Sequence, residues 1–272
     1  MNERTRKIVF IAGVVIILAG VLGLLYPFVG DYINSRQHKA VVAQYREEVQ
    51  EITEDKGTNE LLEAAVAYNE RLYARGGIIT NLSEKEREEY NSMLAMSVTT
   101  IMGYIDIPKI DVSLPIYHST EEKVLQVGVG HLEGSSLPVG GVNTHMVFSG
   151  HAGLPSSTLF TNLDQLAEGD RFTITVLDNT VSYEVDGMEV KLPEDVSLMI
   201  EEGKDLCTLI TCTPIGANTH RLLVHAHRVE NDTPAQEDGA SIEDLYFPYI
   251  VISLAGISFI AVAVLLHIRR AK

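Results

Sequence analysis

The pattern of apolar and polar positions divides the chain into four textures. Ile8 to Gly30 (IVFIAGVVIILAGVLGLLYPFVG) is apolar and uncharged throughout, which suits a membrane span of roughly 20 residues. Phe247 to Ile268 (FPYIVISLAGISFIAVAVLLHI) is a second such run, with only His267 near its end. Between them, Asn34 to Ala74 is rich in Ala, Glu, Gln and Arg, with Val41, Val42, Tyr45, Val49 and Ile52 at three-to-four-residue spacing. That period predicts helix. Gly57-Thr58-Asn59 predicts a break in it, and Gly76-Gly77 a stop. Ser83 with Glu86 forms a capping box that opens a third helix, expected to run through Leu94.

From Met102 the period shortens. MGYIDI, VSLPIY, THMVFS, RFTITVL, VSYEVDGMEVKL, LCTLITCT and RLLVHAHRV read as strands, separated by Gly140-Gly141, Leu177-Asp178-Asn179 and Pro193. Short helices are expected at Glu121–Val127 and Phe160–Leu166. Many short strands with few helices predict a closed barrel or a sandwich.

Charge orients the two apolar runs. Arg4, Arg6 and Lys7 precede the first, and Arg269, Arg270 and Lys272 follow the second. Basic flanks stay cytoplasmic, so both termini are expected inside the plasma membrane and the intervening chain outside. The first run exceeds the apolar core of a signal peptide and lacks a small-residue cleavage site, which points to a retained anchor. The expected organisation is a cytoplasmic tip (1–7), a transmembrane helix (8–30), a helical appendage (31–100), a β domain (101–230), a linker (231–246), a second transmembrane helix (247–268) and a cytoplasmic tail (269–272). The formal charge of −16 becomes −21 for the region between the anchors, because the two tips carry +2 and +3. Such acidity argues against nucleic acid and anionic lipid surfaces as partners. It suits a partner that presents lysines.

Two cysteines, Cys207 and Cys212, face an oxidising space. Five positions apart on a straight strand, they lie about 16 Å apart on opposite faces, beyond the reach of a disulfide. Cys212 ends the run TLITCTP, on the same face as Thr208 and Ile210. A thiol there is placed to meet a substrate, whereas Cys207 reads as a small buried hydrophobe. His151, in SGHAG, follows an apolar strand and is flanked by Gly150 and Gly153, as a strand-end acid/base would be. Arg221 opens a strand, and its forked guanidinium could hold a developing oxyanion. His131 and His145 read as hydrogen-bonded structure. His225 and His227 share one face of the last strand, and with Cys212 they lack the spacing of a zinc site.

GYIDIPKI, LPIYHST, VGVGHLEGSSLPVGG, SGHAGLP, LFTNLDQLAEGD and CTLITCTPIGANTHRLLVHAHR together resemble the sortase family, in particular its class C, pilin-polymerising members. The helical appendage and the second apolar run fit that class. The resemblance implies a mainly β fold, an eight-stranded barrel with an N-terminal helical appendage and two transmembrane helices. It implies a cysteine transpeptidase with Cys212 as nucleophile, His151 as general acid/base and Arg221 as oxyanion stabiliser. Thr211, Gly150 and Ile215 become candidate substrate-binding residues. The implied partners are pilin subunits bearing an LPxTG-type signal and an acceptor lysine. No cofactor and no metal, calcium included, is expected.

Three positions depart from the class pattern. The place of its Asp-Pro-aromatic lid holds Thr80-Asn81-Leu82, its Tyr after TCTP is Ile215, and its Arg-Gly in the last strand is His225-Ala226. Competing readings are a sortase that attaches proteins to cell-wall peptidoglycan, a plain cysteine protease, and a surface scaffold with an inert cysteine.

Overall fold

The computed structural model describes residues 2–54, 57–96, 98–231 and 256. They fall into two compact units, one holding the chain up to Asn34 together with Pro155–Ser157 and Gly256, the other Ser35–Leu154 and residues 158–231. One continuous helix, α1 (Glu3–Glu54), carries the first apolar run and the first appendage segment together. Pro27 lies inside it. Among the described residues α1 is the one helix long and apolar enough to cross a membrane, with mean hydropathy 3.1 in its most apolar window. The second expected span, 247–268, lies outside the described residues apart from Gly256.

The appendage continues with α2 (Gly57–Ala74) and α3 (Glu84–Ser92). Two helices divide at the predicted place, α1 ending at Glu54 and α2 starting at Gly57, but Gly57-Thr58-Asn59 lies within the second. It forms the first turn of α2. The capping box forms as the sequence predicts, with Ser83 Oγ accepting from Glu86 N and the Glu86 carboxylate accepting from Ser83 N. Helix α3 stops two residues before the expected Leu94, because Met93 turns extended and Leu94 takes φ +54°.

Eight strands close a barrel in the order β1-β2-β3-β4-β7-β8-β6-β5. They are β1 (Gly103–Ile107), β2 (Val112–His118), β3 (Val129–His131), β4 (Thr144–Ser149), β5 (Arg171–Val176), β6 (Asn179–Lys191), β7 (Asp205–Thr213) and β8 (His220–Val229). Two contacts are parallel, β2 with β3 and β4 with β7, and the others are antiparallel. Strand β3 is short and glycine-containing, so it lacks the alternation that marked its neighbours. The short helices also contract: α4 spans Glu122–Leu125, and the run from Phe160 yields one 3-10 turn at Leu163–Gln165. Ile105, Phe148, Phe172, Ile174, Tyr183, Cys207, Leu209 and Val224 are buried in the core.

The appendage from Ser35 onward is bound to the barrel by buried polar clamps. Tyr45 Oη donates to Met102 O and accepts from Leu177 N, at 2.9 and 2.7 Å. The Asn69 amide closes a double bond onto Leu137 N and O. Glu48 accepts from Val98 N, Thr99 N and the Thr99 hydroxyl. Tyr90 Oη meets His131 Nδ1, His131 O and Ser119 N, and His131 Nε2 donates to Ser136 O.

The segment in the lid position is tied down through Ile79 N, which donates to Gly134 O. Gly134 has φ +81°, and a Cβ there would fall 1.8 Å from Ile79 O, so glycine alone permits the approach. Thr80 and Asn81 stay exposed.

Tyr45→Phe strips the buried Leu177 N–H of its acceptor and is expected to cost about 1–3 kcal/mol, read as a lower urea midpoint of the full chain. Burial holds the His131 imidazole down at about 4, and burial also lowers His118 and His145. A folded state that refuses a proton the unfolded chain accepts loses stability as pH falls. The urea midpoint is therefore expected to drop between pH 6.5 and 4, and a chain equally stable across that window would contradict this assignment.

Candidate active site

Strand β7 carries the thiols, and alternation sends them apart. Cys207 pairs with Ala226 and Met146, which are buried in the core. It is fully buried, and burial, with Asp205 second, pushes its thiol well above the ordinary range. A thiol held protonated is a poor nucleophile. Cys212 lies on the other face and is half-buried, and both cysteines are free. The face expected from alternation is the observed one: Thr208, Ile210 and Cys212 pair with His225, Leu223 and Arg221.

Arg221 is therefore the direct cross-strand partner of Cys212 in the β7–β8 ladder. Directly opposed residues carry their Cβ atoms about 4.5–5.5 Å apart on one face. Arg221 Nη1 donates to Asn218 O and His220 O, at 3.3 and 3.1 Å. Both bonds use one nitrogen of a group with five donors, so the head is steadied while Nε and Nη2 are left out of these contacts.

His151 arrives on a different segment. Ser149 pairs with Ile210 in the parallel β4–β7 ladder, and Gly150 N extends it to Ile210 O at 3.0 Å. The buried Thr211 hydroxyl donates to Gly150 O at 2.7 Å. That register, carried on by two residues, sets His151 level with Cys212. The three predicted residues thus lie at the same end of β4, β7 and β8. His151 is 22% exposed and its Nε2 lies 3.2 Å from Glu122 Oε1. Sequence reasoning passed over Glu122, although a helix start in that region was expected.

Gly150, Ile215 and Thr211, the candidate substrate-binding residues, frame this end. Gly150 is buried, and a Cβ there would lie 2.7 Å from the Phe160 ring. Ile215 is 58% exposed on the turn after β7, and its Cγ2 approaches Gly153 so closely that a Cβ there would lie at 2.3 Å. Thr211 faces away from Cys212 and acts as the strap described above. The Thr213-Pro214 peptide that opens the turn is cis.

A polar chain runs along the Cys212 face, beneath the loop 192–204. His145 Nδ1 donates to Met199 O, and Thr208 Oγ1 donates to His145 Nε2. The same Thr208 oxygen accepts from His225 Nδ1, whose Nε2 lies 3.2 Å from Glu189 Oε1. A neutral His145, the form that burial favours, fits these donor directions. Histidines 145 and 225 are therefore hydrogen-bonded structure, as expected for the first.

The Sortase domain model matches residues 105–229, the β region. The crystal structure of sortase C1 from Streptococcus agalactiae is 48% identical with a TM-score of 0.68, and the match covers 70% of this chain and 98% of that one. Sortase C-1 from Actinomyces oris is 44% identical with a TM-score of 0.58, over 63% and 98% of the two chains. Among curated relatives, Sortase D of Bacillus subtilis is 30% identical, over 47% of this chain and 63% of its own length. The chain spans 58% of Sortase A of Bacillus anthracis, which is 28% identical over 46% of this chain.

Thr211→Val removes the strap and leaves the buried Gly150 carbonyl without this donor. It is expected to lower the thermal midpoint by the equivalent of about 1–3 kcal/mol and to raise hydrogen exchange at Gly150 N; unchanged exchange there would show that the strap carries no load. The matched domain, the barrel order and the likeness to solved class C structures together place the chain in the sortase family.

Proposed function

We propose that this chain is a membrane-tethered class C sortase that cleaves an LPxTG-type signal and transfers the pilin to a lysine amine. The observation that carries this reading is the cross-strand pairing of a free, half-buried Cys212 with Arg221, on the strand end that His151 reaches. The Cys212 thiol gives its proton to His151 and Sγ attacks the Thr–Gly carbonyl carbon, so that negative charge gathers on the carbonyl oxygen. Arg221 binds that oxygen through donors its backbone contacts leave out. His151 protonates the Gly nitrogen as the C–N bond breaks, leaving a thioester on Cys212. In the second half, His151 takes a proton from the incoming lysine amine. The amine nitrogen forms the isopeptide bond, and the Cys212 sulfur departs with the proton that His151 returns to it.

Transfer to a second pilin draws support from the Streptococcus pneumoniae sortase C structure, 38% identical, which was solved for insight into pilin substrate specificity. The acidic region between the apolar runs suits an acceptor that presents lysines. Helix α1 is the N-terminal anchor in this reading. The β domain (101–230) and the appendage (31–100) lie outside the cell, and the C-terminal run returns the chain to the cytoplasm. Gly150 and Ile215 border the path of the signal peptide, with Thr211 behind them.

The full chain, incubated with an LPxTG-type peptide and quenched, is expected to carry the acyl fragment on Cys212 by mass spectrometry. Cys212→Ala is expected to carry none, and Arg221→Ala to lose about 10²–10³-fold in kcat. Acylation at Cys207, or turnover that survives in Cys212→Ala, would sink the proposal.

A further inference from the structure

Glu122 is the first residue of α4, the short helix between β2 and β3. Its carboxylate stands 3.2 Å from His151 Nε2 and also accepts from Gln126 Nε2, one helical turn on, at 2.6 Å. The Gln126 amide first, and His151 second, hold Glu122 below the ordinary carboxylate range. An ionised carboxylate can only accept, so its bond to His151 requires a proton on Nε2. A neutral imidazole with Nε2 protonated has its lone pair on Nδ1. The main chain is fixed as well, because His151 O accepts from Phe160 N at 3.1 Å. Backbone and one ring nitrogen are thus both held, and the other nitrogen is the one left for chemistry.

We propose that Glu122 is a positioning residue that locks His151 in its Nε2–H tautomer, so that Nδ1 is the atom that exchanges protons during transfer. The identity of the exchange partners, the Cys212 thiol and the two amines, rests on the function proposed above. Glu122 takes no proton in this scheme. Nδ1 takes the Cys212 thiol proton as the sulfur attacks and gives it to the departing amine as its C–N bond breaks. It then collects one from the incoming amine and returns that one to the sulfur as the C–S bond breaks. Between the two amine steps the ring is neutral; before the first and after the second it is an imidazolium with a carboxylate beside it. Glu122 is 72% exposed, so the pair adds little to stability in solvent. Its contribution is orientation. The position is legible only in three dimensions, since Glu122 and His151 lie 29 residues apart.

The test uses the full chain in detergent with ¹⁵N-labelled histidine, at alkaline pH, with the His151 signal assigned by its loss in His151→Gln. Wild type is expected to show the Nε2–H pattern, and Glu122→Ala a mixture of tautomers. With an LPxTG-type peptide, Glu122→Ala is expected to lower kcat about tenfold while KM stays within about twofold. Glu122→Gln keeps an acceptor oxygen at the same reach, and is expected to hold the tautomer and recover most of kcat. An unchanged tautomer in Glu122→Ala, an unchanged kcat, or a loss that falls on KM and thermal stability instead would each overturn the proposal. The tautomer is read without substrate, so wild-type failure on every LPxTG-type peptide would count against the proposed function and leave the role of Glu122 to be judged by the spectra.

Discussion

The parallel pairing of β4 with β7 is the contact on which the site depends. Each strand ends in a loop, and neither loop alone determines where its side chains go. In-register pairing from Thr144 with Asp205 to Ser149 with Ile210 removes that freedom. A slip of one residue would send Cys212 to the core face and Cys207 outward. Burial opposes the slip, because Met146, Phe148, Cys207 and Leu209 all occupy the apolar interior. The hydrophobic effect that closes the barrel is thus also what aims the thiol.

Once that register is set, the remaining parts of the site are local. The antiparallel β7–β8 pair delivers Arg221 opposite Cys212 with only the intervening turn to close. Thr211 uses its core-facing side to hold Gly150, so the residue beside Cys212 fastens the segment that brings His151. Two cysteines of one strand end up chemically unlike for a reason of solvation. Burial keeps the Cys207 thiol protonated, while Cys212 retains access to solvent. The same physics makes inert structure of His131, fully buried between Tyr90 and Ser136.

The appendage is joined to the barrel by the logic of buried polar satisfaction. Tyr45, Glu48, Asn69 and Tyr90 each reach backbone groups that would otherwise lack these partners. Each would be costly to leave unmade in a low-dielectric setting. The segment where class C members place a lid is tied at Ile79 to Gly134, and its polar residues point to solvent.

The amino-acid sequence determined those features that depend on nearest neighbours. Period-two alternation assigned the faces of β7, the capping box opened α3 at Ser83, and an unbroken apolar run marked the N-terminal part of the long helix α1. The motif around Cys212 and Arg221 was legible because a strand, a turn and a strand are contiguous. Tertiary structure decided what depends on distance. Strand β3 was invisible alone, because three residues with a central glycine carry no period and pair only when β2 and β4 flank them. Gly57 became the first residue of α2 where the sequence placed it between two helices, and the helix it opens is held by the buried Ala65, Tyr68 and Leu72. Glu122 could not be tied to His151 by any spacing rule, because the barrel, and not the chain, brings them together.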